Sequence, residues 1–197
     1  LSPTRSKIVA SLVYIHGFNS SPDSDKARQT RAWLAENRPD IDFICPFLSP
    51  FPSVAMAQLD AVIGDLSGSL YFAGSSMGGF YATYLAVKYH SRAVLINPAV
   101  RPWLGRDYLL GDQANHHTGE VHRIEQAHLD QLEGFDVEPI AQPADFLVLL
   151  QTGDEVLDYR LAEEKYADCQ LVVEPGGDHG FVVFESHLPA IIEFLTH

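Results

Sequence analysis

The stretch Leu70-Tyr71-Phe72-Ala73-Gly74-Ser75-Ser76-Met77-Gly78-Gly79 decides the fold. Leu70 to Ala73 is a short apolar run of strand type, and Met77 to Tyr89, rich in Ala, Tyr and Leu, is of helix type. Between them stands Gly74-Ser75-Ser76-Met77-Gly78, a G-x-S-x-G. At a sharp strand-to-helix turn of this kind the central residue is strained and its hydroxyl stands exposed above the sheet. The glycines two before and two after leave room for neighbouring backbone, and the helix N-terminus favours negative charge beside Ser76. The same residues also read as a glycine-rich turn in which Ser76 merely caps a helix. Their position between strand and helix favours the exposed nucleophile.

Working outward, Ile8 to Ile15 reads as a buried strand ending at His16-Gly17. A loop from Phe18 to Asp23 leads into a helix from Ser24 to Asn37, which Pro39 stops. Ile41 to Phe47 is a strand, Pro50 and Pro52 bracket a turn, and Val54 to Leu66 is helical through Val54, Met56, Leu59, Val62 and Ile63. Ala93 to Ile96 is a strand ended by Asn97-Pro98. Phe146 to Gln151 is the clearest strand, followed by a helix from Tyr159 to Tyr166, a strand from Gln170 to Glu174 and a closing helix from Val182 to Leu195. The strands are continuous apolar runs, so both faces are covered. Strands alternating with helices in this way predict an α/β fold, a mostly parallel sheet flanked by helices on both faces. Ligands in such folds bind at the carboxyl ends of the strands.

Val100 to Ala144 breaks the rhythm. It holds Trp103, Tyr108, the pair His116-His117 and a helix-like segment over Val121 to Leu132. An excursion this long reads as a lid or binding wall. The expectation is one domain over 1–197, with 100–144 a lid-like insertion in it and no internal repeat.

A chain of 197 residues suits one compact domain with a sizeable core and is short for two. Asp plus Glu number 26 against 13 Lys plus Arg, a formal net charge of -13. That excess repels phosphate backbones and anionic membranes, so neither nucleic acid nor membrane is an expected partner. No apolar run approaches the roughly 20 residues that cross a bilayer. Leu1 to Ser6 is a polar stub rather than a leader, so a cytoplasmic protein is expected. Cys45 and Cys169 are too few for a disulfide framework and lack metal-ligand spacing. They read as two buried thiols in a reducing compartment.

A serine hydroxyl needs a base, and in strand–elbow–helix folds the order along the chain is Ser, acid, His. His179, in Pro175-Gly176-Gly177-Asp178-His179-Gly180, follows the strand ending at Glu174, and its glycines let the loop curl back toward the elbow. The other histidines are worse placed. His187 and His197 lie in or after the last helix, His90 ends a helix, and His116, His117, His122 and His128 fall in the excursion. His16 precedes the elbow and is assigned to tying down its own loop. For the acid, Asp154 is the first carboxylate past the strand ending at Gln151, ahead of Asp158 and then Glu155. It must accept the Nδ1–H of the histidine and hold its tautomer. Asp178, next to His179, points away or braces the loop. Two amides are needed for an oxyanion, and those of Met77 and Phe18 are the candidates. Phe18, Trp103 and Tyr108 are the candidate substrate-contacting residues. For Trp103 and Tyr108 core packing is an equal reading, and Tyr81 is assigned to core.

Taken together, Tyr14-Ile15-His16-Gly17-Phe18-Asn19-Ser20-Ser21, Gly74-Ser75-Ser76-Met77-Gly78-Gly79, Asn97-Pro98-Ala99, Gln151 to Tyr159 and Gly176-Gly177-Asp178-His179 resemble the YqiA-like esterases, small bacterial members of the α/β-hydrolase superfamily. The resemblance runs over nearly the whole chain. It implies a compact α/β-hydrolase core and activity on short or activated esters. The family's triad positions fall on Ser76, Asp154 and His179. The activity expected is therefore carboxylic ester hydrolysis through an acyl-enzyme, with a small-molecule ester or thioester as partner and no cofactor. An acyl thioesterase is the nearest alternative, and a hydrolase fold retained for binding alone is a further one.

The histidines of Asn115 to His128 match neither H-E-x-x-H nor a zinc-finger spacing, so no metal is expected. The glycine-bearing loops lack the lysine of a P-loop and the G-x-G-x-x-G order, which disfavours nucleotide binding. Oligomeric state is open.

Overall fold

The computed structural model describes residues 8–197; the polar stub read at Leu1 to Ser6 lies outside them. The elements in chain order are β1 (Ala10–Ile15), α1 (Asp25–Asn37), β2 (Ile41–Ile44), α2 (Pro52–Gly64), β3 (Ser69–Ser75), α3 (Met77–Tyr89) and β4 (Arg92–Ile96). Then come α4 (Arg106–Leu109), β5 (Gly111–Ala114), β6 (Val121–Ile124), α5 (Gln126–Glu133), β7 (Phe146–Gln151), α6 (Tyr159–Lys165), β8 (Gln170–Glu174) and α7 (Leu188–Thr196).

Six strands form one sheet in the order β2-β1-β3-β4-β7-β8, and every neighbouring pair is parallel. β1 and β3 run in register from Ala10 opposite Ser69 to Ile15 opposite Gly74, so both end at the same height. β1 and β7 are buried at every position, as continuous apolar runs predict for a sheet covered on both sides. One core cluster joins Val13, Ile15, Phe72 and Leu95 of the sheet to α2, α3 and α5. The other joins Leu12, Tyr14, Val94 and Ile96 to Ala27 and Leu34 of α1 and to Leu188, Ile191 and Ile192 of α7. Successive strand side chains point to opposite faces, which is how one run feeds two cores.

Several segments depart from the sequence expectation, among them β2, which ends at Ile44 rather than Phe47. The helix expected over Val121 to Leu132 is instead β6 followed by α5. β5 and β6 pair antiparallel as a separate ribbon, with Gln113 opposite His122. In β6, exposed Val121 and Arg123 alternate with less exposed His122 and Ile124, a period of two that suits a strand. Glu125 then starts the helix afresh, its carboxylate and the His128 ring closing a reciprocal capping box. The closing helix expected from Val182 begins at Leu188, because Phe181 and Val183 sit at φ of 64° and 59°, outside helical space. β1 starts at Ala10 rather than Ile8, and α2 starts at Pro52, where a proline costs no hydrogen bond.

Candidate active site

The elbow stands at the end of β3, beside the end of β1. Ser76 has φ 57° and ψ −122°, a conformation that costs a non-glycine residue roughly 1–3 kcal/mol and needs the surroundings to enforce it. The enforcement is visible. The Ser76 carbonyl accepts from Gly79, Phe80 and Ala99, and its amide donates to Ile96 across the sheet at 3.1 Å. A Cβ on Gly74 would collide with the Gly78 carbonyl, and one on Gly78 with the Ile15 carbonyl. The two glycines of the motif are thus demanded by backbone packed against backbone.

The loop after β1 closes over the elbow: a Cβ on Gly17 would touch the Ser76 Cβ at 3.5 Å. His16 holds this loop from below. Its Nδ1 meets the Gly17 carbonyl at 2.9 Å and its Nε2 accepts from the Leu48 amide at 3.2 Å. Burial lowers its pKa, against the raising effect of its backbone hydrogen bond, which keeps the ring neutral and able to accept. Among the described residues the amides of Phe18 and Met77 have no hydrogen-bond acceptor.

His179 and Asp154 come together from the segments after β8 and β7. The Nδ1 of His179 lies 2.8 Å from Asp154 Oδ2, and Asp154 Oδ1 accepts from the amides of Val156 and Leu157, each at 2.8 Å. Burial alone would raise the Asp154 pKa; the bonds from His179, Leu157 and Val156 outweigh it and hold it below the usual carboxylate range. The carboxylate is therefore acceptor-only, and Nδ1 carries the proton of this bond. The neighbouring carboxylates have other tasks. Glu155 Oε2 accepts from the His179 amide at 3.0 Å, while Asp158 caps α6 through the Arg160 amide and pairs with the Arg160 guanidinium at 2.7 Å. Asp178 donates its amide to Gln151 Oε1 at 3.2 Å and so serves the loop.

Ser76, Met77, Phe18 and His179 all line one cavity of about 580 Å³, with Tyr108 on its wall. Trp103 does not line it; its indole packs on Phe80, with ring centroids 6.0 Å apart, and braces the core beneath. Tyr81 is buried in the core. The β5–β6 ribbon docks onto the loop after β1, where the His116 amide donates to the Asn19 carbonyl at 2.9 Å and Asn115 Nδ2 to the Ser20 carbonyl at 3.1 Å. Among the described residues no three His, Cys, Asp or Glu side chains converge as metal ligands.

Two residues that residue-type reasoning assigned no role organise the site. Asn97, buried at the end of β4 with φ 40°, accepts the Gln151 amide at 3.0 Å and donates to the carbonyls of Asp178 and His179 at 3.1 and 3.3 Å. Gln151 Oε1 takes the amides of Asp178 and Val182. A buried Asn or Gln at the mouth of an apolar strand is the available signal: its polar atoms must be spent on backbone, and here the backbone is the histidine loop.

This parallel sheet, with a strained serine at the strand-to-helix turn after β3, has the α/β-hydrolase fold. The chain belongs to the uncharacterised protein family UPF0227, whose model matches residues 11–196, and the likeness to YqiA-like α/β-hydrolases stands with it. Solved structures share the fold at low identity. Est1E from Butyrivibrio proteoclasticus with ferulic acid bound aligns with TM-score 0.73 at 17% identity, covering 95% of this chain and 88% of that one. Alpha/beta hydrolase domain-containing protein 10 from mouse aligns with TM-score 0.74 at 16% identity, covering 94% and 90%. The esterase domain of a Rhodothermus marinus protein aligns with TM-score 0.64 at 14% identity, covering 98% and 87%. No helix among the described residues is long and apolar enough to cross a membrane.

Proposed function

We propose that the protein is a serine esterase that cleaves carboxylic esters with short or activated acyl groups through an acyl-enzyme. The observation that carries this reading is the Asp154-braced His179 and the strained Ser76 facing one cavity. Ser76 Oγ attacks the acyl carbon while His179 Nε2 takes its proton. The tetrahedral oxyanion is held by the amides of Phe18 and Met77, donors that need not first break a protein hydrogen bond. As the intermediate collapses, His179 returns the proton to the leaving alcohol. A water deprotonated by the same ring then attacks the acyl-serine, releasing the acid and restoring the hydroxyl. Asp154 stays ionised throughout, fixing the tautomer and stabilising the imidazolium.

Two further parts of the reading rest on what has been described. The whole chain acts as one hydrolase unit in which 100–144 forms the wall and lid of the site, supported by the docking of its ribbon on the loop after β1. A cytoplasmic setting is supported by Cys45 and Cys169 being free thiols. The ferulic acid bound to Est1E and the esterase domain from Rhodothermus marinus support ester chemistry over mere fold retention. The test is covalent labelling by a fluorophosphonate probe. Folded wild-type protein is expected to label and Ser76→Ala is not. Failure of folded wild type to label would overturn the reading.

A further inference from the structure

We propose, resting on the esterase reading above, that this site selects esters that also carry a carboxylate, and that Lys26 with the Tyr14 hydroxyl forms the subsite that receives it.

The cavity is chemically lopsided. The segments after β4 and β7 give it an apolar side of Ala99, Pro102, Leu109, Val156 and Leu157. β1 and the start of α1 give it Tyr14, Ser24 and Lys26. Among the described residues that line it, Lys26 is the one lysine or arginine and none is Asp or Glu, although the chain carries a net charge of -13. A cation facing a cavity on so acidic a protein is the reverse of what surface composition supplies by chance.

The donor inventory points the same way. Tyr14 is 1% exposed, and among the described residues its hydroxyl has no hydrogen-bond partner. Burial pushes the phenol pKa far up, so the group stays protonated and offers an O–H. An unpaired hydroxyl that deep is costly unless something else completes it, and here it belongs to a residue lining a cavity. Lys26 Nζ spends one hydrogen on the Gly180 carbonyl at 2.8 Å, leaving two. The carboxylates that face it are Asp178, Asp25 and Asp154, and they oppose the lowering of its pKa by burial. Asp154 is already engaged by His179, Val156 and Leu157. An ammonium and a neutral hydroxyl, both donors, are matched by an anionic acceptor, and charge-assisted bonds of this kind exceed those to a neutral carbonyl.

The test uses matched pairs at fixed ionic strength. On the acyl side, para-nitrophenyl hydrogen adipate is compared with methyl para-nitrophenyl adipate. On the alcohol side, para-acetoxybenzoate is compared with its methyl ester. The charged member of at least one pair is expected to have a kcat/KM about tenfold higher, mainly through KM. Lys26→Glu is expected to invert that order and Tyr14→Phe to narrow it, with circular dichroism reporting whether each is folded. Calorimetric binding of the same intact esters to Ser76→Ala reads the preference without turnover. Equal affinities there overturn the subsite whatever the turnover shows. A tenfold preference that Lys26→Glu abolishes supports it even if the catalytic reading fails.

Discussion

His179 Nδ1 approaches Asp154 Oδ2 at 2.8 Å while the other oxygen of the same carboxylate is held at 2.8 Å by two amides of the turn that follows it. The acid is anchored to its own backbone before it anchors the imidazole. The turn after β7 therefore orients the ring together with the loop that carries it, which Asn97 and Glu155 hold.

Ser76→Ala is expected to lose ester hydrolysis by about 10⁴-fold or more, whereas Ser75→Ala, buried beside it, is expected to lose less than about tenfold. Initial rates on para-nitrophenyl acetate decide this. Equal losses would mean the wrong serine has been put at the turn.

Asp154→Asn is expected to cost about 10³–10⁴-fold in kcat, since an amide does not enforce the Nδ1–H tautomer. Asp158→Asn touches only the cap of α6 and the exposed pair with Arg160, so its cost in kcat is expected to stay below about threefold. The reverse ranking would move the acid role to Asp158.

Stability is expected to have an acid limb. Asp154 has a depressed pKa in the folded protein, so its contribution is present above the usual carboxylate range and is lost as pH falls through its folded value. The gap in Tm between wild type and Asp154→Asn should therefore shrink as pH falls through and below the usual carboxylate range. A constant gap would show that the carboxylate is not preferentially ionised by folding.

Asn97→Ala removes the acceptor for the Gln151 amide and the donors to the Asp178 and His179 carbonyls, and places alanine at φ 40°. A loss of about 2–4 kcal/mol in urea unfolding is expected. In protein that remains folded, kcat is expected to drop, since the histidine loop loses its tie to β4. Unchanged kcat in folded Asn97→Ala would show that Asp154 alone suffices to position the ring.

Much of this was legible in the residues. Continuous apolar runs at Ala10–Ile15 and Phe146–Gln151 mark buried parallel strands, because only a sheet covered on both sides tolerates them. The elbow was readable because G-x-S-x-G followed a strand and opened a helix. The β5–β6 ribbon was not, since its four-residue strands carry polar side chains and its stability lies in docking on the loop after β1. Nor was the start of the last helix, where tertiary packing puts Phe181 and Val183 at positive φ that their residue types disfavour. Asn97 and Gln151 signal in sequence only that a polar residue ends an apolar strand; the meeting of three strand ends shows what their amides are spent on.

Ser76, Asp154 and His179 follow the ends of β3, β7 and β8, which with β4 make up four of the six strands, β8 lying at the edge. A nascent chain therefore holds the Ser76 turn long before it holds His179, and parallel pairing of distant segments is slow. Hydrolytic competence should arrive only with the docking of the last strand, so recovery of turnover after dilution from denaturant times the closing step of folding rather than collapse.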